Sequence, residues 1–177
     1  VLGTVGMLRP DREPWRYLPI FSEVAKVFGS EVHFVIAGGG TEKEFNHMRS
    51  LVQEYDLEGK VHMPGLVTDS KLPCSIMDLY ITLNIGAITG IAALEAAISG
   101  LPVLAYQMLQ EYQRKSEDWI WSSINPIEIA ERAIQLIKSP KELDELAKYQ
   151  SAYVKANHTS EVMAHSYYDF YQVISGS

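Results

Sequence analysis

Cysteine is almost missing from this sequence: Cys74 is the only one among 177 residues. No internal disulfide can form, a reducing compartment fits, and Cys74, with no second thiol or histidine near it at ligand spacing, is expected simply to pack. Basic residues are also short, with 15 Lys+Arg against 22 Asp+Glu and a net charge of -7. Such a chain has no general positive field to collect a polyanion, which argues against nucleic-acid binding. No apolar run crosses a bilayer's thickness uninterrupted, because the most membrane-like window, residues 85–106, is broken by Gly90, Glu95, Gly100 and Pro102. Repeats, low-complexity linkers and Ser/His/Asp or Cys/His nucleophile sets are absent as well. The five histidines, His33, His47, His62, His158 and His165, show neither metal-ligand spacing nor an acid partner and read as ordinary strand and helix residues. Asp11 and Glu13 come nearest to a spaced acidic metal pair, and no metal is expected.

What is present is a core. With 47% hydrophobic residues, the chain has the makings of one globular domain over residues 1–177. Residues 1–5 already read as a buried strand, without a charged leader or cleavage site, which suggests a segment of a longer polypeptide.

Alternation organises the rest. After the strand at 1–5, residues 16–29 carry Tyr17, Ile20, Phe21, Val24, Val27 and Phe28 at helical spacing. An apolar run at 32–37 ends in Gly38-Gly-Gly, and Thr41-Glu-Lys-Glu44 then offers a capping box for a helix with Phe45, Met48, Leu51, Val52 and Tyr55 on one stripe. Short strands follow at 61–63, 78–83 and 102–106, with a helix closed by Gly100 between the last two. Strands apolar on both faces and separated by amphipathic helices mean a covered parallel sheet. The expected fold class is therefore α/β, a doubly wound parallel sheet, followed by carboxyl-terminal helices that begin at Asn125-Pro-Ile-Glu128 and run to about Ile174. The tail tyrosines, Tyr149, Tyr153, Tyr167, Tyr168 and Tyr171, are expected to pack between helices.

In such a sheet, ligands sit beyond the carboxyl ends of the strands. Arg9 and Arg12 in Gly6-Met-Leu-Arg-Pro-Asp-Arg12 offer planar forks for a diphosphate, although on this loop alone pairing with Asp11 and Glu13 explains them more plainly. Gly38 and Gly39 permit a ligand's close approach, but turn chemistry is the better single explanation of them. The loop at Gly65, Leu66 and Val67 offers backbone groups or is just a turn. The most pointed loop is Asn84-Ile-Gly-Ala-Ile-Thr-Gly-Ile-Ala-Ala, because it runs into a helix start where unpaired amides and the helix dipole receive anions. Glu95 follows one and a half turns later among apolar and small residues, and needs either a protein donor or a ligand's hydroxyls.

Taken in order, these loops resemble the carboxyl-terminal domain of the large retaining glycosyltransferase family of the GT-B fold, the family 4 group. The resemblance covers residues 1–137. It rests on Gly6-Met-Leu-Arg-Pro-Asp-Arg12, Ile36-Ala-Gly-Gly-Gly40, Val61-His-Met-Pro-Gly65, Asp78-Leu-Tyr-Ile and, most specifically, Thr89-Gly-Ile-Ala-Ala-Leu-Glu-Ala-Ala-Ile-Ser-Gly-Leu-Pro-Val103. It implies a Rossmann-like half of a GT-B fold that binds a nucleotide-diphosphate sugar such as a UDP- or GDP-sugar, with no further cofactor. Glu95 would hold the ribose hydroxyls, Thr89, Gly90, Ile91 and Ala92 the diphosphate, and the Gly65–Val67 loop the base. The sequence departs from the family at Ala87, where the family has Glu, and at Met7, where it has Arg, which leaves Arg9 as a substitute and Arg12 at the place of the usual Lys. It also shows no Gly-Gly-x-Glu stretch between Gln107 and Ser123.

The resemblance implies the donor-binding half of a glycosyltransferase, acting on a glycan or lipid-linked acceptor held by an amino-terminal domain. That places the protein in the cytoplasm, peripheral to the membrane through its other half. A nucleotide-sugar epimerase half is the alternative enzyme, and a non-catalytic binding or interaction module of the same fold is the alternative outside enzymology.

Overall fold

A computed structural model describes residues 1–69, 71–84, 89–110 and 119–175. Its centre is a six-stranded sheet built from β1 (Leu2–Val5), β2 (Phe34–Ala37), β3 (Val61–Gly65), β4 (Leu79–Asn84), β5 (Val103–Gln107) and the two-residue β6 (Ser122–Ser123). All its pairings are parallel, in the order β3-β2-β1-β4-β5-β6. The two-residue period of a strand divides the apolar runs between two cores. Phe34, Ile36, Leu79, Ile81, Leu104 and Tyr106 face the larger core. Val35, Ala37, Tyr80, Val103 and Ala105 face the other. The doubly wound sheet read from the sequence is thus the fold found.

Helices cover both faces. α1 (Tyr17–Phe28), α2 (Glu42–Glu54) and α5 (Pro126–Lys138) close the larger core. The four-residue α3 (Lys71–Cys74), α4 (Ile91–Ile98) and α6 (Pro140–Asn157) cover the smaller. The start of α2 is the expected capping box: Glu44 N–H donates to Thr41 Oγ1 at 3.3 Å and Thr41 N–H to Glu44 Oε2 at 2.6 Å. At α5, Asn125 Oδ1 accepts from Ile127 N–H at 2.9 Å, while Glu128 turns aside to accept from Ser123 Oγ at 2.6 Å. Cys74 is buried, as expected.

The tail tyrosines depart from expectation. Tyr153 stacks on Trp119, with ring centroids 5.9 Å apart, and Tyr149 is exposed. The last helix, α7 (Ser160–Ser175), buries none of its residues, so Tyr167, Tyr168 and Tyr171 are exposed rather than packed between helices. Its apolar residues repeat at helical spacing, but no element of the described chain lies over them deeply enough to bury one.

Beyond the strand ends the sheet continues as a zipper of loops. Gly6 N–H donates to Ala37 O at 2.8 Å, Leu8 N–H to Gly39 O at 2.8 Å, and Gly38 N–H to Gly65 O at 2.9 Å. A Cβ on Gly38 would stand 1.8 Å from the Gly6 carbonyl oxygen. None of the three consecutive glycines has a positive φ, so Gly38 is required by the close approach of two backbones and not by turn chemistry. One side chain adds a further tie: the Tyr80 hydroxyl, at the switch between β1 and β4, donates to Val5 O and accepts from Val5 N–H, both at 3.1 Å.

Two expectations follow from this. Gly38→Ala, whose methyl meets backbone rather than a movable side chain, should cost at least about 2 kcal/mol of folding stability. Gly6→Ala, with open space around its added Cβ, should stay within about 0.5 kcal/mol. Equal stability of the two variants in chemical denaturation would remove the close-approach explanation. Burial pushes the Tyr80 hydroxyl up to about 12, against about 10 in an unfolded chain. Above pH 10 the unfolded state therefore loses the proton that the folded state keeps, so Tyr80's contribution is complete below pH 10 and is lost between 10 and 12. Stability measured against pH should fall across that window, and Tyr80→Phe should flatten the fall while costing about 1–3 kcal/mol at neutral pH.

Candidate functional site

Strand order reverses between β1 and β4, and a crevice opens there because the connections leaving the two strands run to opposite faces. A cavity of about 250 Å³ lies at this point, between the ends of β1 and β4, the loop after β1 and the start of α4. Its floor is made of hydroxyls that the sequence reading did not single out: Thr4, Tyr17, Tyr80 and Thr82. They are satisfied by one another, by the Asn84 side chain or by the backbone. Thr4 Oγ1 donates to the Tyr17 hydroxyl at 3.1 Å, Thr82 Oγ1 donates to Asn84 Oδ1 at 3.3 Å, and Tyr80 holds Val5. Burial holds the Tyr17 hydroxyl far above the ordinary tyrosine range. These groups shape the cavity and stay neutral.

One wall is the loop after β1, which contributes Gly6, Met7, Arg9 and Arg12. Arg9 is engaged: its Nε donates to Asp11 Oδ1 at 2.9 Å and its Nη2 to Asp11 Oδ2 at 2.7 Å. The Arg9 guanidinium holds the Asp11 carboxyl below the usual carboxylate range. Glu13 pairs with Arg16, whose guanidinium it pushes above its ordinary value, and not with Arg12. Among the described residues Arg12 makes no ion pair or hydrogen bond through its side chain. The expected pairing with Asp11 is therefore found for Arg9, while Arg12, which is exposed, does not take Glu13 as a partner.

The facing wall is the start of α4, where Gly90, Ile91, Ala92 and Ala93 line the cavity. Gly90, the residue before the helix, supplies no side-chain cap, so the first-turn amides of Ile91 and Ala92 have no acceptor within the helix. Just before it, the Thr89 hydroxyl is buried and lacks a hydrogen-bond partner among the described residues. Glu95 differs from expectation: it is exposed, not enclosed by apolar neighbours. The buried face of α4 is Ala93, Ala96 and Ala97, and Glu95 lies on the open flank. It sits one turn beyond Ile91 and Ala92 on the same side of the helix, outside the cavity lining but close enough for its charge to help hold the protons of Cys74 and Tyr80.

Met7, Gly39 and Leu66 meet beside the cavity. A Cβ on Gly39 would stand 3.5 Å from Leu66 Cδ1 and from Met7 Cε and Sδ. Leu66 and Met7 are 75% and 47% exposed, so this apolar seat faces outward. Gly65 turns the chain there with φ +84°, its carbonyl tied to Gly38, and Val67 packs against the smaller core. Ala87 and the segment at 111–118 lie outside the described residues.

The histidines hold one surprise. His62 Nε2 lies 3.1 Å from His33 Nδ1, a pairing across neighbouring strands that spacing along the chain does not reveal. Among the described residues no group of three or more His, Cys, Asp or Glu is placed to hold a metal ion, and no helix is long and apolar enough to cross a membrane.

No curated protein matches this sequence. Solved structures do resemble it. The chain superposes on HepE of Anabaena, solved with UDP and glucose, at a TM-score of 0.78 and 13% identity, over 97% of this chain and 48% of that one. It superposes on a TarM mutant of S. aureus, solved with fondaparinux, alpha-GlcNAc-glycerol and UDP, at 0.77 and 17% identity, over 95% of this chain and 34% of that one. A carboxyl-terminal domain of a glycosyl transferase group 1 family protein, LpcC of Francisella tularensis, is matched at 0.71 and 18% identity, over 90% of this chain and 86% of that domain. The chain thus spans a third to a half of the two longer proteins and nearly all of the isolated domain. The family of glycosyl transferases group 1 matches residues 1–153, and with that match running over most of a sheet that carries its crevice at the β1–β4 switch, the chain belongs to this family.

Proposed function

We propose that the chain is the donor-binding half of a retaining glycosyltransferase, a single domain cut from a two-domain protein, which takes its sugar from a nucleoside diphosphate. The observation that carries this reading is a set of three anion-binding groups, without partners among the described residues, two of which line one cavity while the third adjoins it. They are the Arg12 guanidinium, the uncapped first turn of α4 and the buried, unpartnered Thr89 hydroxyl beside that turn. A diphosphate presents acceptor oxygens to all three kinds of donor. The relatives solved with UDP support the same ligand class.

In this scheme the bond between the sugar's anomeric carbon and the diphosphate oxygen breaks as an acceptor hydroxyl oxygen bonds to that carbon, negative charge collects on the departing diphosphate, and the hydroxyl's proton passes to that diphosphate. Arg12, with Arg9 beside it, and the α4 amides would stabilise that charge as it develops. The positive groups come from the protein, so the scheme requires no metal. The nucleoside would lie outward, its base against the Met7, Gly39 and Leu66 seat and the Gly65–Val67 backbone. Its ribose would then meet Glu95, one helical turn from the phosphates. A cavity of about 250 Å³ is smaller than the roughly 300–1,000 Å³ that enclose a drug-sized ligand, which suits a site whose remaining wall and glycan or lipid-linked acceptor belong to another domain.

Calorimetric titration of UDP and GDP into the purified chain should show binding, while mixing a nucleotide sugar and an acceptor with this chain alone should show no multiple-turnover transfer, because donor and acceptor must be aligned across two domains. Arg12→Ala should cost about 1.5–3 kcal/mol of nucleotide affinity, roughly ten- to a hundredfold. Glu95→Gln should cost a similar amount while leaving the melting temperature nearly unchanged. Unaltered affinity in both variants, with the fold intact, would take the nucleotide out of this crevice. In the full-length protein, free sugar isomers appearing without acceptor would mark an epimerase half, and binding without transfer would mark a binding module.

A further inference from the structure

We propose that Asp11 sets the affinity of the cavity for a diphosphate by competing with it for the guanidinium fork of Arg9. The inference rests on the donor-binding reading above and deepens it. Arg9 and Arg12 both line the cavity, and Asp11 stands between them in one short turn whose backbone is closed by Arg12 N–H donating to Arg9 O at 2.9 Å. Both carboxylate oxygens of Asp11 are spent on one edge of Arg9, through Nε and Nη2. Two parallel N–H donors facing two oxygens is also the geometry by which arginine holds a phosphate. Asp11 therefore fills the fork in the manner of the ligand.

The exchange is easy because the pair lies in water. Arg9 and Asp11 are 53% and 56% exposed, and an exposed ion pair is worth little. Freeing Arg9 needs only side-chain rotation, since the turn beneath it is held by its own backbone bond. A diphosphate entering the cavity brings more charge than one carboxylate and meets Arg12 as a second cation. Asp11 also feels Arg12, whose charge adds to that of Arg9 in keeping the carboxyl ionised. Glu13 plays no such part, because its partner is Arg16.

The test is a double-mutant cycle read by calorimetry, titrating UDP, GDP and inorganic pyrophosphate separately into the chain and its Asp11→Asn, Arg9→Ala and doubly substituted variants, with circular dichroism confirming the fold. Asp11→Asn should tighten binding about two- to fivefold, the range of a freed exposed pair. In the Arg9→Ala background the same change should have no effect. Unchanged or weaker binding by Asp11→Asn overturns the proposal, as does a gain that persists without Arg9, which would mean general charge repulsion. If no probe binds either the original chain or Asp11→Asn, the donor-binding reading falls with it. Binding by the original chain with no gain in the variant removes Asp11 alone.

Discussion

The closeness of two backbones, the loop after β1 and the loop after β2, is the constraint on which the rest of the crevice depends. Parallel strands end in loops with no partner, and loops left to themselves move apart. Here Gly6, Leu8 and Gly38 extend the ladder past the last strand residues, and only a glycine at 38 lets the Gly6 carbonyl come so near. The loop bearing Arg9 and Arg12 is consequently fixed to the sheet at its root. Tyr80 adds the second tie, fastening Val5 to β4 across the switch point. With the loop after β1 held by backbone bonds at its root and Val5 tied to β4 by the Tyr80 hydroxyl, the base of the crevice is fixed before any ligand arrives, and preorganisation of this kind reduces the ordering cost of binding.

Committed and uncommitted polar groups divide cleanly around the cavity. The hydroxyls of its floor are engaged with one another, with the Asn84 side chain or with backbone, and the raised values of Tyr17 and Tyr80 keep those two neutral, so none is suited to proton transfer near neutrality. The rim is different. Arg12 and Thr89 have no side-chain partners among the described residues, and Thr89 does so while buried, a state that costs free energy unless something accepts from it or donates to it. A crevice whose floor is satisfied and whose rim is not suits the anion binding proposed above better than proton exchange.

Legibility followed the length over which a physical signal repeats. Strands of four to six apolar residues and helices with caps at both ends announce themselves through period and punctuation, and the sheet is where those signals put it. The four residues of α3 and the two of β6 are too short to carry a period. Gln150 was equally invisible: a glutamine on an amphipathic helix reads as a solvent-facing residue, yet it is fully buried, accepting from Val103 N–H and donating to Val103 O and Trp119 O. Glu95 was read as enclosed because its sequence neighbours are apolar, but α4 packs on only one side and leaves that flank open. The His33–His62 contact and the choice of Arg16 as the partner of Glu13 show the same limit, whereas the pairing of Arg9 with Asp11, two residues apart, was legible. Which partner a polar group takes is decided by fold geometry and by rotamer, and neither has a period.

If a chain of net charge -7 is to bind an anion, as proposed above, its positive groups must act locally. At physiological ionic strength a charge is screened over about 8 Å, so what matters is the balance within the crevice and not the total. Elsewhere the basic residues are largely cancelled where they stand. Lys26 pairs with Glu23, Arg49 with Glu42, Arg132 with Glu142, and Lys148 with Asp144. At the cavity the accounting is different, because Arg12 is unpaired and the uncapped start of α4 adds its share of positive charge, about half an elementary unit for a full helix. The acidic excess keeps non-specific polyanions away from the surface, while Arg12, without an ion pair among the described residues, leaves positive charge at the point where β1 and β4 part.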